Sequence, residues 1–510
     1  MPAFQQRCWE HAQAPSMLLE LLPYEVLATI LSRLGLFDLA QLAAACCLLW
    51  CDAPTAPERR IGMVEAELRR RAEARRLVIG SSLPEGAASW VPYLLKRELR
   101  NARRRRAPLA VGCQHRVGLT RCQHRVFVDR EGRLLTCGTE NGTDGLGHDF
   151  GQEDQAGSTT IRTPILVPSM QNRRIVSVAA GYGNCLALSA EGEVFSWGCG
   201  LHGATGHGDE EKRMVPTRIE ALERIERIAA GVNSSTSAAI DDRGRLFTWG
   251  LTTALAGQLS PTGLGYALDL ETELTPRWVD ALSQDRVVDV SLGDRFTLAV
   301  TDAGAVFSFG HGHCLGHGSM GSEVLPRRIE ALAQTGRLFV MVAAGYEHAL
   351  AVTEEGELYG WGARDGNGHW RDERTPKLVT TLVDERVELV YAGADRDKPY
   401  SFAVTETGEL YAWGAGGAVW IFFGHEIGTT QVEPRRVERL GRVRIAAMAE
   451  GKSHLLVADE DGRVWACGRG ITLGLEDAKG DVFEFVLDPT PIPNLRVRMT
   501  YAEAPEVGAT

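Results

Sequence analysis

The sequence has no long apolar run and no secretory leader. The longest apolar stretch, residues 39–50, is interrupted by Gln41 and is shorter than the ~18 residues that a membrane-spanning helix needs. The first residues also lack the charged and then apolar layout of a signal peptide. We therefore expect an intracellular protein, cytoplasmic or nuclear, that does not engage a membrane.

Cysteine is present, but its spacing does not indicate cross-links. The chain has 11 cysteines, an odd number, and it contains no Cys-x-x-Cys pair. Cys137, Cys185 and Cys467 lie within apolar segments. This arrangement predicts free, buried thiols in a reducing compartment.

Signatures of catalysis and of nucleotide binding are missing as well. The sequence shows no nucleophile–base pattern and no Walker-type loop. Glycine-rich segments such as residues 198–208 follow strands but open no helix, which favours tight turns over phosphate-binding loops. We therefore predict that the protein is not an enzyme and holds no cofactor.

Charge is distributed unevenly along the chain, whose net charge is −11. Residues 1–107 contain 16 Lys and Arg against 11 Asp and Glu, whereas the remainder contains 39 against 55. The two parts are therefore electrically different. The acid-rich loops of the second part could engage basic partners.

A glycine-bounded heptapeptide, typified by Gly-Glu-Val-Phe-Ser-Trp-Gly at residues 192–198, recurs seven times. The copies begin at Gly132, Gly192, Gly244, Gly304, Gly356, Gly408 and Gly462. A period of 52 to 60 residues indicates a repeat architecture. The first glycine suits a hairpin turn with positive φ, and the β-branched and aromatic residues after it suit a strand.

Three further strand segments accompany each copy. One directly precedes it, as at residues 185–188, and another ends in an Ala-Ala-Gly corner, as at residues 178–181. A fourth follows a proline such as Pro216, and the strand is predicted to start there, at an outer edge, because proline cannot donate to a ladder. Four strands in each of seven units, with no helical pattern between them, predict a mainly β, seven-bladed propeller. The strands do not alternate strictly, as expected where stacked blades bury both faces of each sheet.

These segments resemble the repeats of the regulator-of-chromosome-condensation family. The resemblance rests on the Ala-Ala-Gly corner, the His-x-Leu-Ala-Val strand, the Gly-x-Val-Phe-x-Trp-Gly strand and the Leu-Gly-His-Gly tip at residues 315–318. It covers residues 108–505, leaving residues 506–510 as a tail. The resemblance implies a seven-bladed propeller, in agreement with the repeat count.

The first blade, beginning at residues 108–138, is predicted to be incomplete. Residues 495–502 resemble the inner corner strand that this blade lacks in the repeat pattern. We therefore expect the C-terminus to complete the N-terminal blade and so to close the ring.

Two short helices are predicted within residues 17–57. Residues 1–16 carry little pattern and are predicted to be disordered. The segment at residues 17–57 resembles an F-box: residues 22–25 read Leu-Pro-x-Glu, Asp38 and Leu39 open the second helix, and Trp50 closes it. The resemblance implies docking on the Skp subunit of a cullin–RING ubiquitin ligase. The residues expected to carry docking, or the core beneath it, are Leu22, Pro23, Leu27, Ile30, Leu31, Leu39, Leu42 and Trp50. The alternative is a helical cap that only packs on the propeller.

Residues 58–107 are predicted to form a basic helical linker. Its end, residues 97–106, carries six arginines and one acidic residue. Such a run can bind phosphate backbones, but cations also suit a solvated helix C-terminus. The second interpretation is preferred, so a nucleic-acid partner is not expected.

Two groups of histidines and cysteines are candidate metal sites. Cys113, His115, Cys122 and His124 could meet on strand faces, but their spacing matches no usual zinc pattern. His311, His313, Cys314 and His317 form a second group, yet His317 lies in a tip that recurs at His207. This recurrence favours structural hydrogen bonds, and His348 and His454 are interpreted as architectural for the same reason. No metal site is predicted.

One loop departs from the repeat. Blade six carries Trp420, Ile421, Phe422 and Phe423 where other blades place small polar residues. If exposed, this loop is a candidate partner-binding patch; if buried, it fills a blade junction.

Together these features predict a monomeric, non-catalytic adaptor of an SCF-type ligase. The F-box-like segment would dock the Skp subunit and the cullin complex, and the propeller would hold an unidentified substrate protein. Two alternatives stay open. Relatives of the propeller include guanine-nucleotide exchange factors for a small GTPase, and the arginines at residues 97–106 would suit a chromatin-associated scaffold.

Overall fold

The computed structural model describes the propeller region with several gaps. The described residues are 108–113, 123–140, 145–148, 159–231, 234–251, 263–266, 272–369, 371–393, 399–415, 431–441, 443–451, 454–469, 485–497 and 499. The F-box-like segment at residues 17–57 and the loop at residues 420–423 lie outside them. The predictions made for those two segments therefore remain predictions.

The described residues form seven antiparallel sheets, each built from four strands that follow one another along the chain. This confirms the predicted seven-bladed propeller. Blades 1 to 7 comprise, in order, β1 (Leu109–Cys113), β2 (Gln123–Val128), β3 (Leu134–Glu140) and β4 (Thr159–Leu166); β5 (Ile175–Ala180), β6 (Asn184–Ser189), β7 (Val194–Gly198) and β8 (Arg213–Arg218); β9 (Ile225–Ala230), β10 (Ser235–Asp241), β11 (Leu246–Leu251) and β12 (Glu273–Trp278); β13 (Val287–Leu292), β14 (Phe296–Thr301), β15 (Val306–Gly310) and β16 (Glu323–Arg328); β17 (Phe339–Ala344), β18 (His348–Thr353), β19 (Leu358–Gly362) and β20 (Glu373–Leu378); β21 (Val387–Ala392), β22 (Tyr400–Thr405), β23 (Leu410–Gly414) and β24 (Gln431–Arg436); and β25 (Ile445–Gly451), β26 (His454–Asp459), β27 (Arg463–Arg469) and β28 (Phe485–Arg496).

Helical structure in the described residues is confined to short connecting turns. Two α-helical turns, α1 (Glu330–Ala333) and α2 (Arg364–Asn367), lie in blades 4 and 5. The 3-10 turns are Pro168–Met170, Leu201–Gly203, Asp280–Leu282, His313–Leu315, Thr380–Leu382 and Glu438–Leu440. None of these helices is long and apolar enough to cross a membrane.

The repeated glycines have the backbone roles that the sequence predicts. In blade 2, Gly192 has φ +83° and its N–H donates to the Ser189 carbonyl at 3.1 Å, which closes the hairpin between β6 and β7. Gly198 ends β7 with φ +106°, and a Cβ built there would lie 2.3 Å from the Gly183 carbonyl oxygen. A side chain at Gly198 would therefore displace the corner between β5 and β6.

The second strand of most blades is buried along its whole length. Every residue of β6, β14, β18 and β22 is buried. Strict apolar–polar alternation is unnecessary in such a strand because neighbouring blades cover both faces of the sheet. The core is therefore divided among the junctions between blades.

Proline interrupts every outer strand, although its position differs from the prediction. In β8, Pro216 lies within the strand and not before it, in a stretch where the pairing with β7 shifts register. An outer edge tolerates this because the missing N–H faces away from the sheet. The outer-strand prolines are Pro164, Pro216, Pro276, Pro326, Pro376, Pro434, Pro489, Pro491 and Pro493.

The prediction of an incomplete first blade is wrong. Blade 1 contains four strands of its own, and the C-terminal strand β28 pairs with β27 as the outer strand of blade 7. The sequence Leu-Ala-Val-Gly-Cys of β1 is a degenerate copy of the corner strand, which is why the repeat pattern missed it. Val497, directly after β28, pairs with Asp129 of blade 1 in an isolated antiparallel bridge.

The cysteines in the described part of the chain are free, as predicted. Cys137, Cys185, Cys314 and Cys467 are buried, and Cys199 is partly exposed. Burial raises the pKa of the Cys137 thiol to about 11, so this thiol is protonated and unreactive at neutral pH.

A buried indole joins each of four blades to the blade before it. The indole is always in the third strand, and its Nε1–H donates to a backbone carbonyl in the preceding blade's loop between third and fourth strands. The pairs are Trp197 with Gly145 at 2.9 Å, Trp249 with Ala204 at 3.1 Å, Trp361 with Cys314 at 2.6 Å, and Trp413 with Gly366 at 3.0 Å. Each pair satisfies a polar group within an otherwise apolar junction.

Candidate interaction faces

The antiparallel order of the strands sends alternate connections to opposite ends of the ring. One end, the hairpin face, carries the turns between second and third strands and the connections from each outer strand to the next blade. The other end, the tip face, carries the corners between first and second strands and the loops between third and fourth strands. All seven turns of the hairpin face lie within the described residues, at 129–133, 189–193, 241–245, 301–305, 353–357, 405–409 and 459–463.

Three consecutive blades, 4, 5 and 6, have acidic hairpin turns. Their three turns contain six acidic residues and no Lys or Arg. The turn of blade 2 also has acids only, whereas the turns of blades 1, 3 and 7 contain arginines among their acids, at Arg130, Arg133, Arg243, Arg245 and Arg463. The turns of blades 4 to 6 therefore form one continuous arc of acidic side chains.

Some acids of this arc are neutralised at the base of the turns. Glu357 pairs with Arg337 at 2.8 Å, and Glu409 pairs with Arg436 at 2.9 Å. Glu355, at a turn apex, and Asp384, in the connection after Thr380–Leu382, are exposed. Glu406 also lies 3.5 Å from the Arg386 guanidinium. We call Asp302, Glu354, Glu355, Asp384 and Glu406 the acidic arc.

An exposed aliphatic side chain adjoins Asp384 of the acidic arc. Val383 directly precedes Asp384, and 54% of its surface is exposed. An apolar side chain among carboxylates suits a peptide that combines positive charge with an apolar anchor. The hairpin face is therefore the better-defined candidate for binding a partner.

A second set of charges lies among the innermost strands. The Arg227 guanidinium of β9 forms an ion pair with the buried Asp289 carboxylate of β13. Asp289 also accepts the Val342 backbone N–H of β17 at 3.0 Å. Three consecutive blades are thus joined through one carboxylate. No sequence pattern indicates this pair, because the two residues lie 62 positions apart in unrelated patterns.

Three tip histidines have a structural role, as the recurrence of His207 and His317 predicted; His148 is the third. In each case a third-strand hydroxyl donates to a tip carbonyl, so the same oxygen accepts a hydrogen bond from the histidine Nε2–H. Burial lowers the pKa of all three imidazoles, which favours this neutral form. The hydroxyl–histidine pairs, all at 2.9 Å, are Thr136 with His148, Ser196 with His207, and Ser308 with His317.

The remaining candidate metal ligands do not converge where the structure describes them. His311 Nδ1 lies 2.7 Å from the Ser322 hydroxyl, and Cys314 is buried beneath the tip. Within the described residues there is no group of three or more His, Cys, Asp or Glu side chains arranged to hold a metal ion. His115, Cys122 and the side chains of Cys113, His313 and His454 lie outside the description.

Two fully buried histidines occupy the same position in blades 1 and 5. His348 Nε2 lies 2.8 Å from the Ser401 hydroxyl of blade 6, which confirms its architectural role. Burial lowers the pKa of His348 to about 4. Burial, assisted by the neighbouring Arg125 charge, also lowers the pKa of His124 to about 4.

These histidines predict a loss of stability in mild acid. The unfolded chain takes up these protons near pH 6.5, whereas the folded chain does not until about pH 4. Stability is therefore full above pH 6.5 and falls as the pH drops towards 4, by about 2 kcal/mol per histidine between pH 7 and pH 5. Urea unfolding at both pH values measures the fall, and His348→Gln should make it smaller. If His348→Gln loses as much stability between pH 7 and pH 5 as the wild type does, His348 is not a cause of the pH dependence.

Comparison with known repeats identifies the blades. A family model described as the regulator of chromosome condensation (RCC1) repeat matches residues 191–237 and 303–352. A second model of the same repeat matches residues 175–204 and 339–368. The chain therefore carries RCC1 repeats, in agreement with the resemblance seen in the sequence.

Curated relatives share these repeats in proteins of different kinds. The chain is 34% identical over 277 residues to the ultraviolet-B receptor UVR8 of Arabidopsis thaliana, covering 52% of this chain and 59% of the relative. It is 33% identical over 355 residues to the human E3 ubiquitin-protein ligase HERC2, covering 67% of this chain but 7% of the relative. The chain thus spans less than two thirds of either protein.

Solved structures share the fold. Prp20p of Saccharomyces cerevisiae superposes with a TM-score of 0.57 at 20% identity, covering 78% of this chain and 89% of that one. Human WBSCR16 superposes with a TM-score of 0.55 at 20% identity, covering 69% and 91%. At this identity the likeness establishes the propeller fold alone.

Proposed function

We propose that this chain of RCC1 repeats is a non-catalytic adaptor of an intracellular SCF-type ubiquitin ligase. Residues 17–57 would dock the Skp subunit, and the propeller would hold a substrate protein. The adaptor accelerates ubiquitin transfer by holding two other proteins close together, so it needs no reactive group of its own. The observation that carries the proposal is that one chain combines the F-box-like sequence pattern with a propeller whose hairpin face is a candidate for binding a partner.

The hairpin face is the surface to which we assign the substrate. The acidic arc and the exposed Val383 suit a segment rich in Lys and Arg with an apolar anchor. Long-range attraction from such an arc speeds encounter with a basic partner and weakens as salt is added. The structure of Prp20p is described together with the binding of that protein to Gsp1p and histones. HERC2 is named as a ubiquitin ligase. Both support an assignment to protein binding, although neither identifies this chain's partner.

Docking on the Skp subunit is tested by a pull-down with the full-length chain. Leu27 and Leu31 lie on the predicted apolar stripe of the first helix, so Leu27→Asp with Leu31→Asp should reduce Skp retention at least about ten-fold, equivalent to about 1.4 kcal/mol. The matched control, Thr29→Asp with Ser32→Asp, adds the same charge to the opposite side of that helix and should retain Skp.

Two outcomes would count against docking. Absence of Skp binding by the wild-type chain would end the ligase proposal. Equal loss in both double variants would show that charge, and not the apolar stripe, causes the effect. Normal propeller melting in each variant would confirm that folding is not responsible.

Guanine-nucleotide exchange is the second candidate function. The observation that favours it is the acidic character of one propeller face, which could engage a small GTPase. Nucleotide release from a panel of GTPases separates the two candidates, since an adaptor leaves the release rate unchanged.

A further inference from the structure

The junction between blades 7 and 1, which we call the seam, differs from the other six. The chain itself crosses every other junction through the connection from an outer strand to the next inner strand. At the seam β1 lies beside β25 without such a connection. The ring is closed there only by non-covalent contacts.

Val497, directly after β28, occupies the position that the chain connection occupies at the other junctions. In blades 2 to 7 the first residue of the inner strand donates its N–H to the hairpin glycine of the preceding blade; Ile175 to Gly132 at 2.7 Å is one example. The Val497 N–H donates in the same way to Gly462 of blade 7 at 2.8 Å. Val497 thus has the position of the first inner-strand residue of the next blade.

The pairing partner of Val497 supports this equivalence. Ile175 pairs with Ser189, the residue at the end of the second strand of its own blade. Val497 pairs with Asp129, the corresponding residue of blade 1. The inner edge of blade 1 is therefore formed by two segments that lie far apart in the sequence, β1 and Val497. We call residues 492–497 the latch; Ile492, Leu495 and Val497 are buried within it.

The junctions on either side of blade 7 also lack the buried aromatic residue that the third strands of blades 2 to 6 supply, which is Phe309 in blade 4 and a tryptophan in the other four. In blades 2 to 6 the third strand supplies an aromatic residue that faces a small residue on the second strand, as Trp361 faces Ala349. In blade 1 the pair is reversed, with Cys137 opposite Arg125, and in blade 7 Cys467 lies opposite Leu455. Each of these pairs places its larger side chain on the second strand and its smaller one on the third. No indole therefore reaches the preceding blade from Cys137 or from Cys467.

We propose that the ring opens at the seam before it opens elsewhere, and that the latch controls this opening. Only non-covalent contacts hold the seam, among them the packing of β1 against β25 and the Arg130 guanidinium donating to the Asp461 carbonyl at 2.7 Å. Chain continuity and buried indoles hold most of the other junctions. Opening of the seam exposes the inner strands of blades 1 and 7 while the remaining blades stay assembled. The proposal is independent of the ligase assignment.

Native-state hydrogen exchange of the full-length wild-type protein tests the proposal. Local opening should make amides of β2 and β26 exchange at least about ten-fold faster than those of β14 and β18, which have equivalent positions in blades 4 and 5. Equal rates in all four strands, or faster exchange in blades 4 and 5, would overturn it.

A matched pair of variants tests the role of the latch. Val497→Ala should increase exchange in blades 1 and 7 and leave β14 and β18 unchanged. Val287→Ala is the control, since Val287 is the buried first residue of the inner strand in blade 4, where the chain is continuous. It should leave the seam unchanged. A Val497→Ala protein that exchanges like wild type, or faster in every blade, would contradict the latch.

Discussion

Replacing Trp361 with alanine is expected to lower the free energy of unfolding by about 3–5 kcal/mol. The Trp361 side chain is fully buried between blades 4 and 5, in contact with the core that contains Phe339 and Leu315. Its removal leaves a cavity and also leaves the Cys314 carbonyl without its 2.6 Å hydrogen bond. Chemical denaturation monitored by circular dichroism measures the change.

The control for this prediction is Trp278→Ala. Trp278 lies at the end of an outer strand, and 38% of its surface is exposed. We expect a change below about 1 kcal/mol, as is usual for surface substitutions. Similar effects of the two substitutions would show that the buried indoles do not hold the junctions.

Asp289→Ala is expected to cost about 3–5 kcal/mol, because it leaves a nearly buried guanidinium without its counter-charge. The Arg227 side chain is 14% exposed and pairs with Asp289, whose side chain is 1% exposed. The same substitution removes the acceptor of the Val342 N–H. Thermal and urea unfolding should both report the loss.

A double variant separates the ion pair from the space it fills. Arg227→Met with Asp289→Leu removes both charges and keeps most of the volume, so it should be more stable than Asp289→Ala alone. If Asp289→Ala is as stable as wild type, the pair does not join the inner strands. If the double variant is less stable than the single one, burial of an unpaired charge is not the cause.

The fold could be predicted from the sequence because each blade repeats the same local choices. The hairpin glycines recur in all seven copies, and the tip histidines recur in several of them, among them blades 1, 2 and 4. The first blade is the exception, since the Ala-Ala-Gly corner has become Ala-Val-Gly in β1. The pattern near Val497 did indicate a contact with blade 1, but the contact is one bridge and not a strand.

The candidate site could be predicted only in part. The excess of acid in the propeller is evident from composition, but its concentration on one arc depends on which connections share a face. The Arg227–Asp289 pair depends on the radial order of the strands, which no short pattern encodes. Blade 5 has Trp361 opposite Ala349, whereas blade 1 has Cys137 opposite Arg125. This difference is visible when the repeats are aligned and could have identified the seam.

The most direct test of the adaptor is affinity purification with mass spectrometry of three forms of the full-length chain. These are the wild type, Leu27→Asp with Leu31→Asp, and Glu355→Lys with Asp384→Lys. The account predicts that the first variant loses Skp and the cullin but keeps the substrate, whereas the second keeps both ligase subunits and loses a Lys- and Arg-rich protein. Absence of Skp from the wild-type sample, or loss of the same proteins by both variants, would contradict it.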